Sequence, residues 1–155
     1  MGLFSFFKKK PEDYFTIAED EQIVNAIRAA EKETSGEVRV YIESKNPYVN
    51  PLDRAGEIFF SLKMNQTEKR NGVLLYIAMK HHEVALFADE GIYEAVGAAW
   101  WHQAVNDMLA EFKDQHIADG IEHCVQRVGQ LLREKFPYDA GTDKNELPDE
   151  IVFGK

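Results

Sequence analysis

Three carboxylates and one arginine are the side chains of this sequence best suited by type and place to do chemistry. Glu37 opens one apolar segment, Arg70-Asn71-Gly72 precedes a second, and Asp89-Glu90-Gly91 follows a third. If the first two segments are parallel strands and the third runs antiparallel to the second, all three groups meet at one edge of a sheet. Glu37, Asp89 and Glu90 would then supply oxygen ligands from loops, the kind of site that calcium or magnesium prefers. The plainer alternative is that Glu37 and Asp89 face solvent, or that Arg70 neutralises one of them.

The opposite edge offers a competitor. Ser44-Lys45-Asn46-Pro47 leads into Asn50-Pro51-Leu52-Asp53-Arg54, which reads as a helix N-terminus. Free backbone N–H groups there could hold a phosphate, with Lys45 or Arg54 assisting. Asp53 in the first turn already complements the helix dipole and disfavours a second anion.

Sharper motifs are absent from the sequence. It has no glycine-rich dinucleotide fingerprint, no phosphate-binding loop, no nucleophile elbow and no Cys-x-x-Cys pair. No nucleotide or organic cofactor is expected. His81-His82-Glu83 has the wrong spacing for a helical zinc motif and falls in a turn. Cys124 lies on the apolar face of a helix, where a buried thiol is the simpler reading than a nucleophile. His102, His116 and His123 are scattered over helices. Trp100-Trp101 reads as core area at a helix start rather than a stacking platform.

The elements that must position these residues follow from periodicity. Thr16-Ile17-Ala18-Glu19 is a capping box, and Ile23, Ile27 and Ala30 then share a helical face until Gly36, expected to take a left-handed C-terminal conformation. Val38, Val40 and Ile42 alternate with polar residues and predict a strand. Asn50-Pro51 opens a second helix with Ala55, Ile58, Phe59 and Leu62 inside. Val73 to Met79 carries no charge and predicts a central strand, joined through His81-His82 to Val84–Ala88 as an antiparallel hairpin. Helical periodicity then runs through Trp100, Trp101, Val105, Met108, Leu109 and Phe112, and again through Ile117, Ile121, Cys124, Val128, Leu131 and Leu132. The expected fold is a three-layer α/β/α sandwich with a small mixed sheet, in the order α-β-α-β-β-α-α. Residues 1–14 form an N-terminal arm, 15–137 the domain and 138–155 a loose acidic tail.

Composition narrows the function classes. The 18 basic residues against 27 acidic ones give net −9, which argues against a nucleic-acid partner. A single cysteine excludes an intramolecular disulfide, and no apolar run approaches the ~18 residues of a membrane span. The expected compartment is the cytoplasm. Phe4, Phe6 and Phe7 followed by Lys8-Lys9-Lys10 make residues 1–10 either a terminal arm on the body or a weak foot on a membrane surface.

Thr34-Ser35-Gly36-Glu37-Val38, Arg70-Asn71-Gly72-Val73-Leu74-Leu75-Tyr76 and Asp89-Glu90-Gly91-Ile92 together resemble the TPM-domain family, that of the plant thylakoid acid phosphatase involved in photosystem II repair and of many bacterial relatives. Asn145-Glu146-Leu147-Pro148-Asp149-Glu150-Ile151 resembles the tail of a short, stand-alone bacterial branch. The likeness covers about residues 15 to 151. It implies an α/β/α sandwich, divalent-cation binding and, for plant relatives, weak acid-phosphatase activity. Many relatives read Asp-Asn-Gly-Val where Arg70 stands here, so a cation would meet a guanidinium. The leading expectation is therefore a binding or scaffold module with a weak calcium or magnesium site at Glu37, Asp89 and Glu90. A metal-assisted acid phosphatase of low activity and a membrane-adjacent interaction protein with an unknown protein partner are the alternatives.

Overall fold

The computed structural model describes residues 10–48, 50–138 and 151–154. Helix α1 (Ile17–Glu31) starts at the expected capping box: the Thr16 hydroxyl accepts from the Glu19 N–H, and the Glu19 carboxylate accepts from the Thr16 N–H. Its Ile23, Ala26, Ile27 and Ala30 are buried. Strand β1 (Glu37–Glu43) follows, and helix α2 (Pro51–Ser61) opens where the Asn50 side chain accepts from the Leu52 N–H. Strand β2 (Gly72–Ala78) is buried at every position and turns at His81-His82 into β3 (Glu83–Ala88).

β1 and β2 pair in parallel, Val38 beside Val73 and Ile42 beside Ile77, while β2 and β3 pair antiparallel. Because side chains alternate across a strand, Val38, Val40, Ile42, Val73, Leu75, Ile77, Val84 and Leu86 share one face. They pack with α1, with α4 (Ala98–Lys113) and with α5 (Ile117–Lys135). Leu74, Tyr76, Ala78 and Ala85 occupy the other face under α2. The result is the expected three-layer sandwich.

The structure corrects three details. The helical stretch after Asp89 is broken: α3 (Glu90–Val96) ends at Gly97, whose φ of 92° suits glycine alone and separates α3 from α4. The tail is not loose throughout, because Ile151–Phe153 forms β4 parallel to β1 and completes the order β3-β2-β1-β4. Three apolar residues are too short a run to stand out of an acidic stretch. Gly36 is not left-handed; α1 ends five residues earlier, and glycine is needed there because a Cβ would lie 2.7 Å from Leu132 Cδ2.

Of the arm, Pro11–Tyr14 forms a 3-10 turn with Pro11 buried. The aromatic part of residues 1–10 lies outside the described residues. Among the described residues, no helix is long and apolar enough to cross a membrane.

Candidate functional site

The strand starts meet at one edge as the topology required. Arg70 turns the chain into β2 with a left-handed φ of 51°. Its carbonyl accepts from the Gly91 N–H at 2.9 Å, and the Asp89 N–H donates to the Gly72 carbonyl at 2.9 Å. Only glycine fits at position 91, since a Cβ would meet the Lys69 and Arg70 carbonyl oxygens at 2.5 Å. These contacts set Arg70 against Asp89: Nε lies 2.8 Å from Oδ2 and Nη2 2.8 Å from Oδ1. Arg70 Nη1 also reaches Glu90 Oε1 at 3.2 Å. Asp89 Oδ1 additionally accepts from the Glu90 N–H at 2.8 Å, capping α3. The hydrogen bonds to Asp89 raise the Arg70 pKa above its ordinary value.

A guanidinium thus bridges two of the three carboxylates expected to ligate a cation, Asp89 and Glu90. Glu37 is buried at the neighbouring strand start, where its N–H donates to the Asn71 carbonyl at 3.4 Å. Asn71 donates to Ser35 Oγ at 3.3 Å, and its Oδ1 is buried with no hydrogen-bond partner among the described residues. Among the described residues, no group of three or more His, Cys, Asp or Glu side chains is placed to hold a metal ion. Asp89 and Glu90, engaged by Arg70, do not fit one as they stand.

The opposite edge is closed in the same way. Arg54 faces Glu43 through Nε–Oε2 at 2.8 Å and Nη2–Oε1 at 2.9 Å, and the Tyr76 hydroxyl donates to the same carboxylate. Burial, with Glu43 alongside, pushes the Tyr76 pKa up, and the Glu43 hydrogen bonds do the same for Arg54. Arg54 also meets Glu57 at 2.6 Å. It is held by carboxylates and is not presented to a phosphate. Cys124 is buried, and burial pushes its thiol up to about 12, which leaves it unreactive near neutrality.

Another opening lies beside β3. β3 is an edge strand, and a groove of about 740 Å³ runs along it from Val84 to Glu90. One wall is α2, through Leu52 and Phe60; the other is α3 and α4, through Tyr93, Trp101 and Val105. Leu52, Phe60 and Tyr93 are 47%, 53% and 42% exposed, three of the few large apolar side chains left in water among the described residues. Tyr93 stacks on Trp101 with ring centroids 6.2 Å apart, and Trp100 meets Trp101 edge-on at 4.7 Å. Trp101 is buried as core, yet its indole N–H has no hydrogen-bond partner among the described residues. Arg70, Asp89, Glu90 and Glu94 line one end, three acids against one base.

Sequence reasoning placed the carboxylate edge but missed this groove. A signal for it existed: Leu52, Gly56 and Phe60 recur every four residues on α2, beside the predicted core stripe. Gly56 lets that face approach β3, since a Cβ would lie 3.0 Å from Phe87 Cε2.

Residues 9–131 match the family model described as the TPM domain. The BA42 protein of the psychrophilic bacterium Bizionia argentinensis, solved by NMR, is 36% identical, covers 92% of this chain and 97% of its own, and superposes with a TM-score of 0.83. The N-terminal domain of a P. gingivalis protein is 20% identical over 79% of this chain and 78% of its own, with a TM-score of 0.59. The N-terminal domain of cg2496 from Corynebacterium glutamicum is 12% identical over 76% and 74%, with a TM-score of 0.56. These last two share the fold. No curated protein matches the chain.

Proposed function

Given that the chain belongs to the TPM-domain family, whose fold alone does not fix a reaction, we propose that it is a binding module whose ligand lies in the groove beside β3. The observation that carries this reading is the groove itself: about 740 Å³, walled by exposed Leu52, Phe60 and Tyr93 around a strand edge that is unpaired among the described residues. Ligand pockets are commonly concave and mostly apolar, with a few polar groups fixing orientation. Here the polar groups are the β3 backbone and the charged end at Arg70 and Glu94.

An amide-resolved NMR titration with indole as an apolar probe tests it. Saturable shifts at Leu52, Phe60, Tyr93 and Val105 are expected. Shifts confined to another surface would contradict the reading.

The carboxylate edge supports a second reading, weak divalent-cation binding at Glu37, Asp89 and Glu90. Its support is that Glu37 is buried with its N–H on the Asn71 carbonyl, and that Asn71 Oδ1 has no hydrogen-bond partner among the described residues. Its obstacle is Arg70, which already supplies the positive charge. Calcium titration of Arg70→Ala should therefore give a stronger response than the natural chain, and equal flat responses would remove this site. Acid-phosphatase activity rests on the resemblance alone and is not part of the proposal.

A further inference from the structure

The groove has a period that a small molecule does not need. In an antiparallel pair, residues alternate between bonding their partner and pointing their N–H and C=O away from it. The Asp89 N–H donates to Gly72, its partner in the β2–β3 register. Counting back, Phe87, Ala85 and Glu83 face β2, while the backbone groups of Val84, Leu86 and Ala88 face outward into the groove. Three outward residues two apart present donors and acceptors at the repeat of a strand. Walls rise on both sides, Leu52 and Phe60 on the α2 face and Tyr93 and Val105 on the other. Side chains of an added strand would point alternately to the two walls.

Resting on the groove reading above, we infer that the occupant is an extended segment of another protein that joins β3 as a fifth strand. Such a segment carries apolar side chains at alternate positions and a lysine or arginine at the Ala88 end. The basic residue follows from charge: Asp89, Glu90 and Glu94 outnumber Arg70 there, and the whole chain carries net −9. That same net charge disfavours a second copy of this chain, because two such copies repel.

The test uses the whole chain and an acetylated, amidated hexapeptide, Lys-Phe-Thr-Val-Thr-Leu. Saturable binding should slow exchange of the Val84, Leu86 and Ala88 amides. N-methylation of two of the three peptide amides that face β3 should weaken binding about tenfold or more, the worth of two hydrogen bonds. Replacing the peptide lysine by glutamate should weaken it further. Ala88→Pro removes an outward N–H and leaves the β2 ladder intact, so it should block binding in a folded protein. Leu52→Asp, at an exposed position, should weaken binding as well. Equal affinity for the N-methylated peptide would overturn the inference. So would edge amides protected without peptide in a sample whose mass is that of two copies. Indole binding in the groove with no peptide binding would leave the groove reading standing and sink the strand addition alone.

Discussion

Arg70 grips both oxygens of Asp89, Nε to Oδ2 and Nη2 to Oδ1, each at 2.8 Å. The pair ties the turn before β2 to the cap of α3, two segments 19 residues apart. Asp89 is buried and Arg70 is partly open to water. Removing the arginine leaves a buried carboxylate whose remaining partner among the described residues is the Glu90 N–H, the costly way to break such a pair. Arg70→Ala should therefore unfold at lower urea than the natural chain, and adding Asp89→Asn should recover part of the loss, because asparagine still caps α3. Additive losses in the double variant would show that the two residues are not coupled.

Glu43 anchors the other edge, accepting from Arg54 and from the Tyr76 hydroxyl while only 5% exposed. Arg54→Met should cost about 3 kcal/mol, since it strands a buried charge. Tyr76→Phe removes one donor and should cost about 1–2 kcal/mol. Urea denaturation measures both. A neutral Arg54→Met would mean that water reaches Glu43.

Helices α1 and α5 touch where Gly129 meets Ala30. A Cβ on Gly129 would sit 2.6 Å from Ala30 Cβ and 2.8 Å from Ala30 Cα. Overpacking there cannot be relieved by turning a side chain. Gly129→Ala should lower stability by about 1–3 kcal/mol, despite alanine's better helix propensity. A rise in melting temperature would show that the helices can part without cost.

His123 Nδ1 lies 2.9 Å from both carboxylate oxygens of Glu111. The hydrogen bond to Glu111 raises its pKa above the ordinary 6.5, against a smaller opposing effect of burial. A raised folded pKa means that the stabilisation is fully present below about 6.5 and is lost as pH rises through the folded value. The pair is exposed, so the effect on stability is small. The His123 ring should titrate above 6.5 by NMR and return toward 6.5 in Glu111→Gln. An unchanged titration in that variant would contradict the assignment.

What the sequence made legible were the features written in local patterns. The Thr16 capping box, the Asn50 cap, the uncharged β2 run and the buried Cys124 all stand as read. Meeting of Glu37, Arg70 and Asp89 at one edge also followed, because hairpin and crossover connections fix strand direction. The bidentate Arg70–Asp89 contact was weighed only as the alternative to a cation, since spacing cannot say whether a guanidinium or a metal sits between two acids. β4 escaped because three residues carry no period. The groove escaped because it is made of what is left uncovered: an unpaired strand edge and apolar residues on the outer face of α2, which binary patterning does not count.

A free binding groove requires that β3 have an open outer edge. Hydrogen exchange of its backbone amides, resolved residue by residue, tests that directly. Ala85 and Phe87, bonded to β2, should exchange slowly, while Val84, Leu86 and Ala88 should exchange much faster. Uniform protection along β3 would mean that the edge is already covered, and the groove would not be a free binding site.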